Sequence, residues 1–363
     1  MRIAQWFRSR LSPIGLDVRS QSIHAAQLCT ERDGVWSLRA AASVPRLEPG
    51  TELSVREARR IMAVLDRRGF EGGQFVVTPP DRGVLSALLE LPPANSGAPI
   101  DQIAAIEVGR TLKRDPSSFE MAYWIVPSPP RGSEGVHAMA VACPHGASME
   151  LLNVLDDVGA EVVAIDVRAW ALARACGRSA WRLAGVVELG WASGRLVLFQ
   201  ESRVVYERVL EEWSLRAVFD NMANVLETDA SHVRAMLESL ELSKPHADRR
   251  SGSDPLTAAR RCLKSAIEAL AKEIGVSLRY IAHRFATDEG PGEVGGVHVC
   301  GPGASLPGLV ADLSERVGVK AGQVTPATLV RVPGDGFSGR TGMDDGPELV
   351  AALGLAMWKD VAA

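Results

Sequence analysis

The sequence predicts an α/β protein built from two similar lobes with a cleft between them. Each half of the 363-residue chain opens with three short strands in succession, and amphipathic helices then follow. The first half opens with "PIGLDVRSQSIHAAQL" and "GVWSLRAAASVPR", and the second with "LAGVVELGWASGRLVLFQESRVVYERVL". A pattern that restarts in this way indicates an internal repeat, and a cleft between repeats is a common ligand site.

The rest of the first half contains one helix of the first unit and then a separate small unit. Ala58, Ile61, Met62 and Leu65 share one face of the predicted helix "SVREARRIMAVLDRRGF", and the short strand "GGQFVVTPP" follows it. The small unit has a predicted helix, "APIDQIAAIEVGRTLKR", with Asp101 as its predicted N-cap. Its strands are "GVLSALLELPPA", "SFEMAYWIVPS" and "VHAMAVACP". The chain then returns to the first unit through "GASMELLNVLDDVGA" and "EVVAIDVRAWALARAC".

The second half predicts a long helical stretch from about residue 214 to 285. The polar segment "SKPHADRRSGSDP" interrupts it and is predicted to be disordered. A strand, a glycine-rich turn and a helix follow in "GGVHVCGPGASLPGLVADLSERVGV", and "GPELVAALGLAMW" predicts an apolar helix of small residues.

Composition narrows the class of function. The net charge of −4 does not indicate a bulk electrostatic nucleic-acid binder. The five cysteines include no C-x-x-C pair, which argues against a disulfide framework or a zinc site. No window reaches the ~18 consecutive apolar residues of a spanning helix. Two interpretations of the basic N-terminus "MRIAQWFRSRLSP" stay open: an amphipathic segment on a membrane or partner surface, or a frayed tail.

Three stretches resemble the nucleotide-contacting turns of actin-like ATPases. "IGLDVRSQSIHAAQL" and "VVELGWASGRLVLF" look like the two phosphate hairpins, and "VHVCGPGASLPGLV" looks like the adenosine turn. More narrowly, the chain resembles the PilM family of type IV pilus assembly, through "LLELPP", "EVGRTLKRDPSSFEMAYWIVP", "NVLDDVGAEVVAIDVRAWALARA", "EIGVSLRYI" and "LVAALGLAM", in the family's order.

The resemblance implies two ribonuclease-H-like lobes, with a small α+β (SHS2-like) subdomain inserted in the first and a helical subdomain in the second. The implied boundaries are 1–82 and 146–182 for the first lobe, 83–145 for the inserted subdomain, 183–213 and 291–363 for the second lobe, and 214–290 for the helical subdomain.

The resemblance also implies an ATP and Mg²⁺ site whose sequence departs from the family pattern. Asp17 matches the acid that would hold a magnesium-bound water, and Glu188 stands where Asp is usual. The implied nucleotide-contacting set is Asp17, Arg19, Ser20, Gln21, Ser22, His24, Glu188, Gly190, Gly301, Gly303 and Leu306. Catalysis, if retained, would rest on Asp17 and Glu188.

All three turns depart from the pattern. Arg19 replaces a glycine and His24 a lysine, Trp191 follows Gly190 where a small residue is commoner, and Pro302 interrupts a Gly-Gly pair. Arg19 has two interpretations: its bulk closes the phosphate approach, or its guanidinium donates to a phosphate. Trp191 either covers a ligand or fills the cleft. With three turns altered, the sequence predicts weak or lost ATP hydrolysis.

The implied partner is the N-terminal peptide of a PilN-like inner-membrane protein, with other pilus or secretion inner-membrane components beside it. This places the chain in the cytoplasm, peripheral on the inner face of the inner membrane, with membrane association indirect or through the basic N-terminus, and no nucleic-acid partner. The peptide would lie in a groove beside the inserted subdomain. The candidate residues are Leu89, Leu91, Ile103, Ile106, Glu107 and Arg110, each of which also has a packing interpretation.

Functions of other classes stay open. One is an active actin-like ATPase of pilus, type II secretion or cell-division type that hydrolyses ATP in the interlobe cleft. Another is a sugar kinase, which would need a catalytic aspartate at the cleft mouth and intact glycine loops. No second chemistry is indicated, because the seven histidines show no ligand spacing and Gly-x-Ser-x-Gly and Walker motifs are absent.

Overall fold

A computed structural model describes the structure over most of the chain. The described residues are 11–30, 35–50, 52–79, 84–127, 135–177, 181–239, 255–284, 292–332 and 344–359. The basic N-terminus as far as residue 10, and residues 243–254 of the polar segment predicted to be disordered, lie outside these ranges.

Two five-stranded sheets with the same strand order form the centres of the two lobes. The first has the order β3-β2-β1-β4-β8, with β1 (Ile14–Val18), β2 (Ser22–Thr30), β3 (Trp36–Pro45), β4 (Gln74–Val77) and β8 (Glu161–Ile165). The second has the order β11-β10-β9-β12-β13, with β9 (Ala184–Leu189), β10 (Gly194–Gln200), β11 (Arg203–Leu210), β12 (Gly296–Cys300) and β13 (Ala321–Gln323). The repeat predicted from the pattern is therefore present strand by strand.

In both sheets, the first three strands form an antiparallel meander and the remaining strands are parallel to the first. β1 pairs antiparallel with β2 and parallel with β4, while β9 pairs antiparallel with β10 and parallel with β12. Strand β1 therefore corresponds to β9, and the carboxyl ends of both strands point toward the junction of the lobes where the two hairpins turn.

A third, three-stranded antiparallel sheet lies within the first half of the chain. Its order is β5-β7-β6, with β5 (Leu85–Leu91), β6 (Phe119–Ile125) and β7 (Val136–Pro144). Helix α2 (Ile100–Leu112) packs on it through Ala104 and Val108. Pro99, not Asp101, is the N-cap of α2, because the Asp101 carboxylate lies in the first turn and accepts a 2.6 Å hydrogen bond from the Tyr123 hydroxyl.

The remaining helices cover the two large sheets. They are α1 (Val55–Arg67), α3 (His145–Asp156), α4 (Arg168–Cys176), α5 (Leu215–Leu226), α6 (Ala230–Ser239), α7 (Pro255–Arg284), α8 (Leu309–Val317), α9 (Pro326–Leu329) and α10 (Val350–Ala356). The long helical stretch predicted in the second half is thus three helices, α5 to α7, in the described residues. No helix in the described ranges is both long and apolar enough to cross a bilayer.

Helices α4 and α10 lie between the two sheets and join the lobes through one hydrophobic cluster. The cluster contains Leu28 of β2, Leu172 of α4, Val197 of β10 and Leu353 of α10. The helices approach closely because their contact residues are small: a Cβ on Gly354 would lie 1.9 Å from the Ala171 carbonyl oxygen. Close backbone approach of this kind requires glycine.

Candidate functional site

Each hairpin at the lobe junction carries one buried acid at the same place. Asp17 is the penultimate residue of β1, and Glu188 is the penultimate residue of β9. The Asp17 side chain is 0% exposed and Glu188 is buried as well. The two acids predicted from the sequence therefore lie in matching positions, one from each lobe, beneath the cleft.

Asp17 is surrounded by hydrogen-bond donors. Its Oδ2 accepts a bond from Arg19 Nε (3.0 Å), and its Oδ1 accepts bonds from Arg168 Nη2 (2.7 Å) and the Thr78 hydroxyl (3.0 Å). Burial alone would raise the pKa of Asp17, but the charges of Arg168 and Arg19 and the Arg168 hydrogen bond hold that pKa well below its usual range. Asp17 is therefore ionised at pH 7, and each of its carboxylate oxygens accepts at least one hydrogen bond.

Arg19 also contacts the acid of the other lobe. Its Nη2 donates to Glu188 Oε1 while its Nε holds Asp17, so one guanidinium links the two acids. The second Glu188 oxygen, Oε2, lies 4.0 Å from Arg195 Nε, and Arg195 in turn pairs with Glu207 of β11. A planar guanidinium with several donors suits such bridging.

The residue opposite the acid differs between the hairpins. Asp17 is paired in register with His24, whereas Glu188 is paired in register with Arg195. His24 Nε2 lies 2.8 Å from the Ser22 hydroxyl. Burial lowers the pKa of His24 to about 4, against the pull of Asp17, so the imidazole is neutral at pH 7. His24 therefore adds no charge where the family pattern has a lysine.

The turn of the first hairpin is held by the segment after β3. The Arg46 guanidinium donates to the Arg19 carbonyl (3.1 Å) and pairs with buried Glu57 of α1 (2.9 Å). The Gln21 carbonyl accepts a bond from the Arg46 amide (2.9 Å). These contacts fix the backbone from which the Arg19 side chain extends.

A cleft of about 930 Å³ lies above the two acids. Many of the predicted nucleotide-contacting residues line it: Arg19, Ser20, Gln21, Ser22, His24, Gly190 and Leu306. Trp191 lines it too and packs on Phe219 of α5, with ring centroids 5.4 Å apart. This contact supports the interpretation that Trp191 fills the helical side of the cleft. Arg234 of α6 is an exposed cation on the same wall.

Gly301 and Gly303 of the predicted adenosine turn have a packing reason of their own. Gly301 has φ +83°, and a Cβ there would lie 2.8 Å from the Leu189 carbonyl oxygen. A Cβ on Gly303 would lie 2.8 Å from the Leu189 Cβ. Both glycines therefore let this turn pack against the end of β9, and neither lines the cleft.

The predicted partner-contacting residues fall into two groups in the inserted sheet and α2. Leu89 and Leu91 are buried in the cluster that joins α2 to the sheet, and Ile103 is a half-buried neighbour of that cluster. Ile106 is 58% exposed, Arg110 is exposed, and half-buried Glu107 pairs with Arg110 at 2.8 Å. A partner would meet Ile106 and Arg110 first, so these two residues offer the direct test of the prediction.

The geometry of the acids does not fit a magnesium ion. Three of their four carboxylate oxygens accept arginine hydrogen bonds, and the fourth faces Arg195. Mg²⁺ needs near-octahedral oxygen ligation through carboxylates or waters, which these paired oxygens do not offer. No cluster of three or more His, Cys, Asp or Glu side chains suited to a metal occurs among the described residues.

The sequence prediction missed four residues of this site: Thr78, Arg168, Arg195 and Glu207. Two signals were available in hindsight. Arg168 begins α4, and a cation at a helix N-terminus opposes the helix dipole and needs an acidic partner. Arg195 follows Glu188 across a short turn, which places it on the opposite strand of a hairpin.

Solved structures similar to this chain support an actin-like fold. A chain of the PilM-PilN type IV pilus biogenesis complex matches with a TM-score of 0.72 and 19% identity, covering 95% of this chain and 98% of that one. The ethanolamine utilization protein EutJ from Carboxydothermus hydrogenoformans matches with a TM-score of 0.54 and 14% identity, over 97% and 91% of the two chains. The chain thus has the actin-like ATPase fold, and the predicted resemblance to PilM is confirmed as a likeness of fold.

Comparisons of sequence identify no relative. No protein-family model matches the chain, and no curated protein matches it.

Proposed function

We propose that this protein is a PilM-like scaffold of a type IV pilus or related secretion machine that works without ATP hydrolysis. It lies in the cytoplasm on the inner face of the inner membrane and binds the N-terminal tail of a PilN-like membrane protein. The observation that carries the proposal is the likeness of fold to the PilM-PilN chain over 95% of this chain and 98% of that one. The fold alone hosts many activities, so the partner needs its own test.

The charge distribution of the cleft supports the part of the proposal that concerns hydrolysis. Phosphoryl transfer in this cleft would need a metal ion to neutralise the phosphates. Asp17 and Glu188, the acids that would serve it, are joined by Arg19. A scaffold needs the lobes and the inserted subdomain to be held in one arrangement, and it needs no metal.

The partner test uses the exposed residues of α2. A synthetic peptide with the N-terminal cytoplasmic sequence of the PilN-like protein encoded in the same genome is titrated calorimetrically into the purified chain. We expect binding that Ile106→Asp and Arg110→Glu weaken by about tenfold or more, because a few residues that become buried in an interface carry most of its binding energy. Val225→Asp is the matched control, since Val225 is 53% exposed on α5, in the other lobe. Absence of peptide binding by the unmodified chain would refute the scaffold proposal.

Hydrolysis is tested separately with ATP and Mg²⁺. We expect no release of phosphate above that of the Asp17→Asn variant, because the acids are already paired. Turnover in the unmodified chain that Asp17→Asn abolishes, while circular dichroism shows that the variant is still folded, would instead favour the active ATPase. The two tests are independent, so a scaffold that hydrolyses ATP is distinguished from a non-scaffold that does not.

A further inference from the structure

Arg19 lies at the position where the second lobe has a glycine. Asp17, Val18 and Arg19 of the first hairpin correspond to Glu188, Leu189 and Gly190 of the second, by their places at the ends of β1 and β9. A Cβ on Gly190 would lie 3.9 Å from Arg19 Nη1. The Arg19 guanidinium therefore reaches across the lobe junction and lies over the backbone of the second hairpin.

The ion pairs around Arg19 are balanced without any added ion. Asp17, Glu188 and Glu207 supply three carboxylates, and Arg19, Arg168 and Arg195 supply three guanidiniums. The side chains of all six are between 0% and 19% exposed. A divalent cation added to this set would leave an excess charge in a weakly solvated place, which is costly.

We propose that Arg19 is an internal cation that takes the place of a divalent metal between Asp17 and Glu188 and ties the two lobes together at the base of the cleft. Its Nε and Nη2 hold one carboxylate from each lobe, which is what a bridging metal with carboxylate ligands would do. The acids beneath it form a latent site for a hard divalent cation. This inference rests on the geometry of the six side chains and does not depend on the proposed partner.

The test removes Arg19 and measures divalent-cation binding by the 363-residue chain. Mn²⁺ binding is followed by electron paramagnetic resonance, and thermal unfolding is followed with Mg²⁺ and with EDTA. We expect no Mn²⁺ site in the unmodified chain and the same melting temperature in Mg²⁺ and EDTA. Arg19→Gly, which copies the second hairpin, should gain one Mn²⁺ site at least about tenfold tighter than any in the unmodified chain. Mg²⁺ at about ten times its Kd should raise the melting temperature of this variant by about 2 °C.

Three matched variants assign the gain to the two acids. Arg19→Gly combined with Asp17→Asn should lose the Mn²⁺ site, because one ligand of the pair is gone. Arg19→Lys should show no gain, because a cation still occupies the place. Arg234→Ala should also show none, because that exposed cleft cation pairs with neither acid in the described structure.

The results that support the proposal can be told from those that overturn it even if Arg19→Gly folds poorly. Recovery of its folding by Mg²⁺ but not by EDTA supports the proposal, since the metal then replaces the missing cation. An Arg19→Gly variant that gains neither Mn²⁺ binding nor Mg²⁺-dependent stability overturns it. So does an Mn²⁺ site in the unmodified chain that Asp17→Asn abolishes, because Arg19 would then not occupy the metal's place.

Discussion

The two hairpins at the lobe junction have the same strand pairing and a buried acid at the same place, but the cation that neutralises the acid stands at a different position in each. In the second hairpin the cation stands on the strand opposite the acid, as Arg195 opposite Glu188, and a glycine begins the turn. In the first hairpin a neutral histidine stands opposite Asp17, and the cation has moved into the turn as Arg19. The repeat thus preserves where an acid is buried but not how it is neutralised. Because Arg19 is long, it serves the acids of both hairpins.

Neutralising the buried acid of one hairpin at a time should lower the free energy of unfolding more than any other change proposed for the two hairpins. Asp17→Asn leaves Arg168 and Arg19 without their shared carboxylate in a buried place, and we expect a loss of about 3–5 kcal/mol in the free energy of unfolding. Glu188→Gln should cost less, about 2 kcal/mol, because Arg195 keeps Glu207. Urea unfolding midpoints measure both changes.

A surface pair provides the control for these two variants. Asp312 and Arg316 form an i,i+4 pair on α8 at 3.0 Å, and Asp312→Asn should change the free energy of unfolding by no more than about 0.5 kcal/mol. Equal losses in Asp17→Asn and Asp312→Asn would show that the junction ion pairs contribute nothing special. A larger loss in Glu188→Gln than in Asp17→Asn would show that the second hairpin, not the first, anchors the network.

The fold was predictable because its signals are local. Strand alternation and turns in "PIGLDVRSQSIHAAQL" and "LAGVVELGWASGRLVLF" are read within about 16 residues, and the matching sheet orders follow from repeating them. The two acids came from the family resemblance, in which Asp17 and Glu188 match the acid positions of the two phosphate hairpins, and the structure places each as the penultimate residue of its strand. The prediction of Asp101 as the N-cap of α2 was wrong, because Asp101 lies in the first turn of the helix and its carboxylate accepts a bond from the Tyr123 hydroxyl, 22 residues away.

The neutralising partners were not predictable, because they come from distant parts of the chain. Arg168 is 151 residues from Asp17, and Arg19 is 169 residues from Glu188. The sequence left two interpretations of Arg19, as a plug or as a phosphate donor, since its direction depends on the other lobe. The structure shows the guanidinium bonded to the two acids.

Low pH should destabilise the first hairpin through His24, the neutral residue opposite Asp17, whereas the second hairpin has Arg195 in that position. Its pKa is about 4 when folded and ordinarily 6.5, so the unfolded chain binds a proton between these values that the folded chain does not. Stability from this group is complete above pH 6.5 and falls as the pH drops toward 4, by about 3 kcal/mol in all. Urea titrations at pH 7 and pH 4.5 measure the fall.

The variant His24→Gln isolates the contribution of His24 to the pH dependence of stability, because glutamine is neutral at both pH values. The variant should lose markedly less stability between pH 7 and 4.5 than the unmodified chain does. The carboxylates are the same in both proteins, so their titration contributes equally to both losses. Identical pH dependence in the two proteins would mean that His24 is protonated in the folded state at pH 4.5, as a fourth cation beside Arg19, Arg168 and Arg195.

A methyl group at Gly190 should show why the second hairpin kept its glycine. A Cβ there would lie 2.5 Å from the Ser193 carbonyl oxygen, a backbone atom that cannot move without opening the turn. We expect Gly190→Ala to cost about 1–3 kcal/mol in the free energy of unfolding. Gly322→Ala in β13 is the control, since a Cβ there meets nothing within 4 Å and its φ is not positive. Tolerance of both substitutions would remove the steric reason for the difference between the hairpins.

The smallest loss of stability is expected at the hydrogen bond that joins the inserted sheet to Glu207, the partner of Arg195. The Ser86 hydroxyl of β5 donates a 2.5 Å hydrogen bond to Glu207 Oε2, whose other oxygen holds Arg195. Ser86→Ala removes one bond to a charged group that keeps its arginine, so we expect a loss of about 1 kcal/mol. Faster amide hydrogen exchange should be confined to β5 and its partner β7, because local opening precedes global unfolding.

Ser96→Ala is the control, since that hydroxyl bonds only to the nearby Ala98 amide in the described structure. Equal exchange in both variants would mean that the link from the inserted sheet to the second hairpin is carried by other contacts, such as the 2.6 Å bond from Trp124 Nε1 to the Val204 carbonyl.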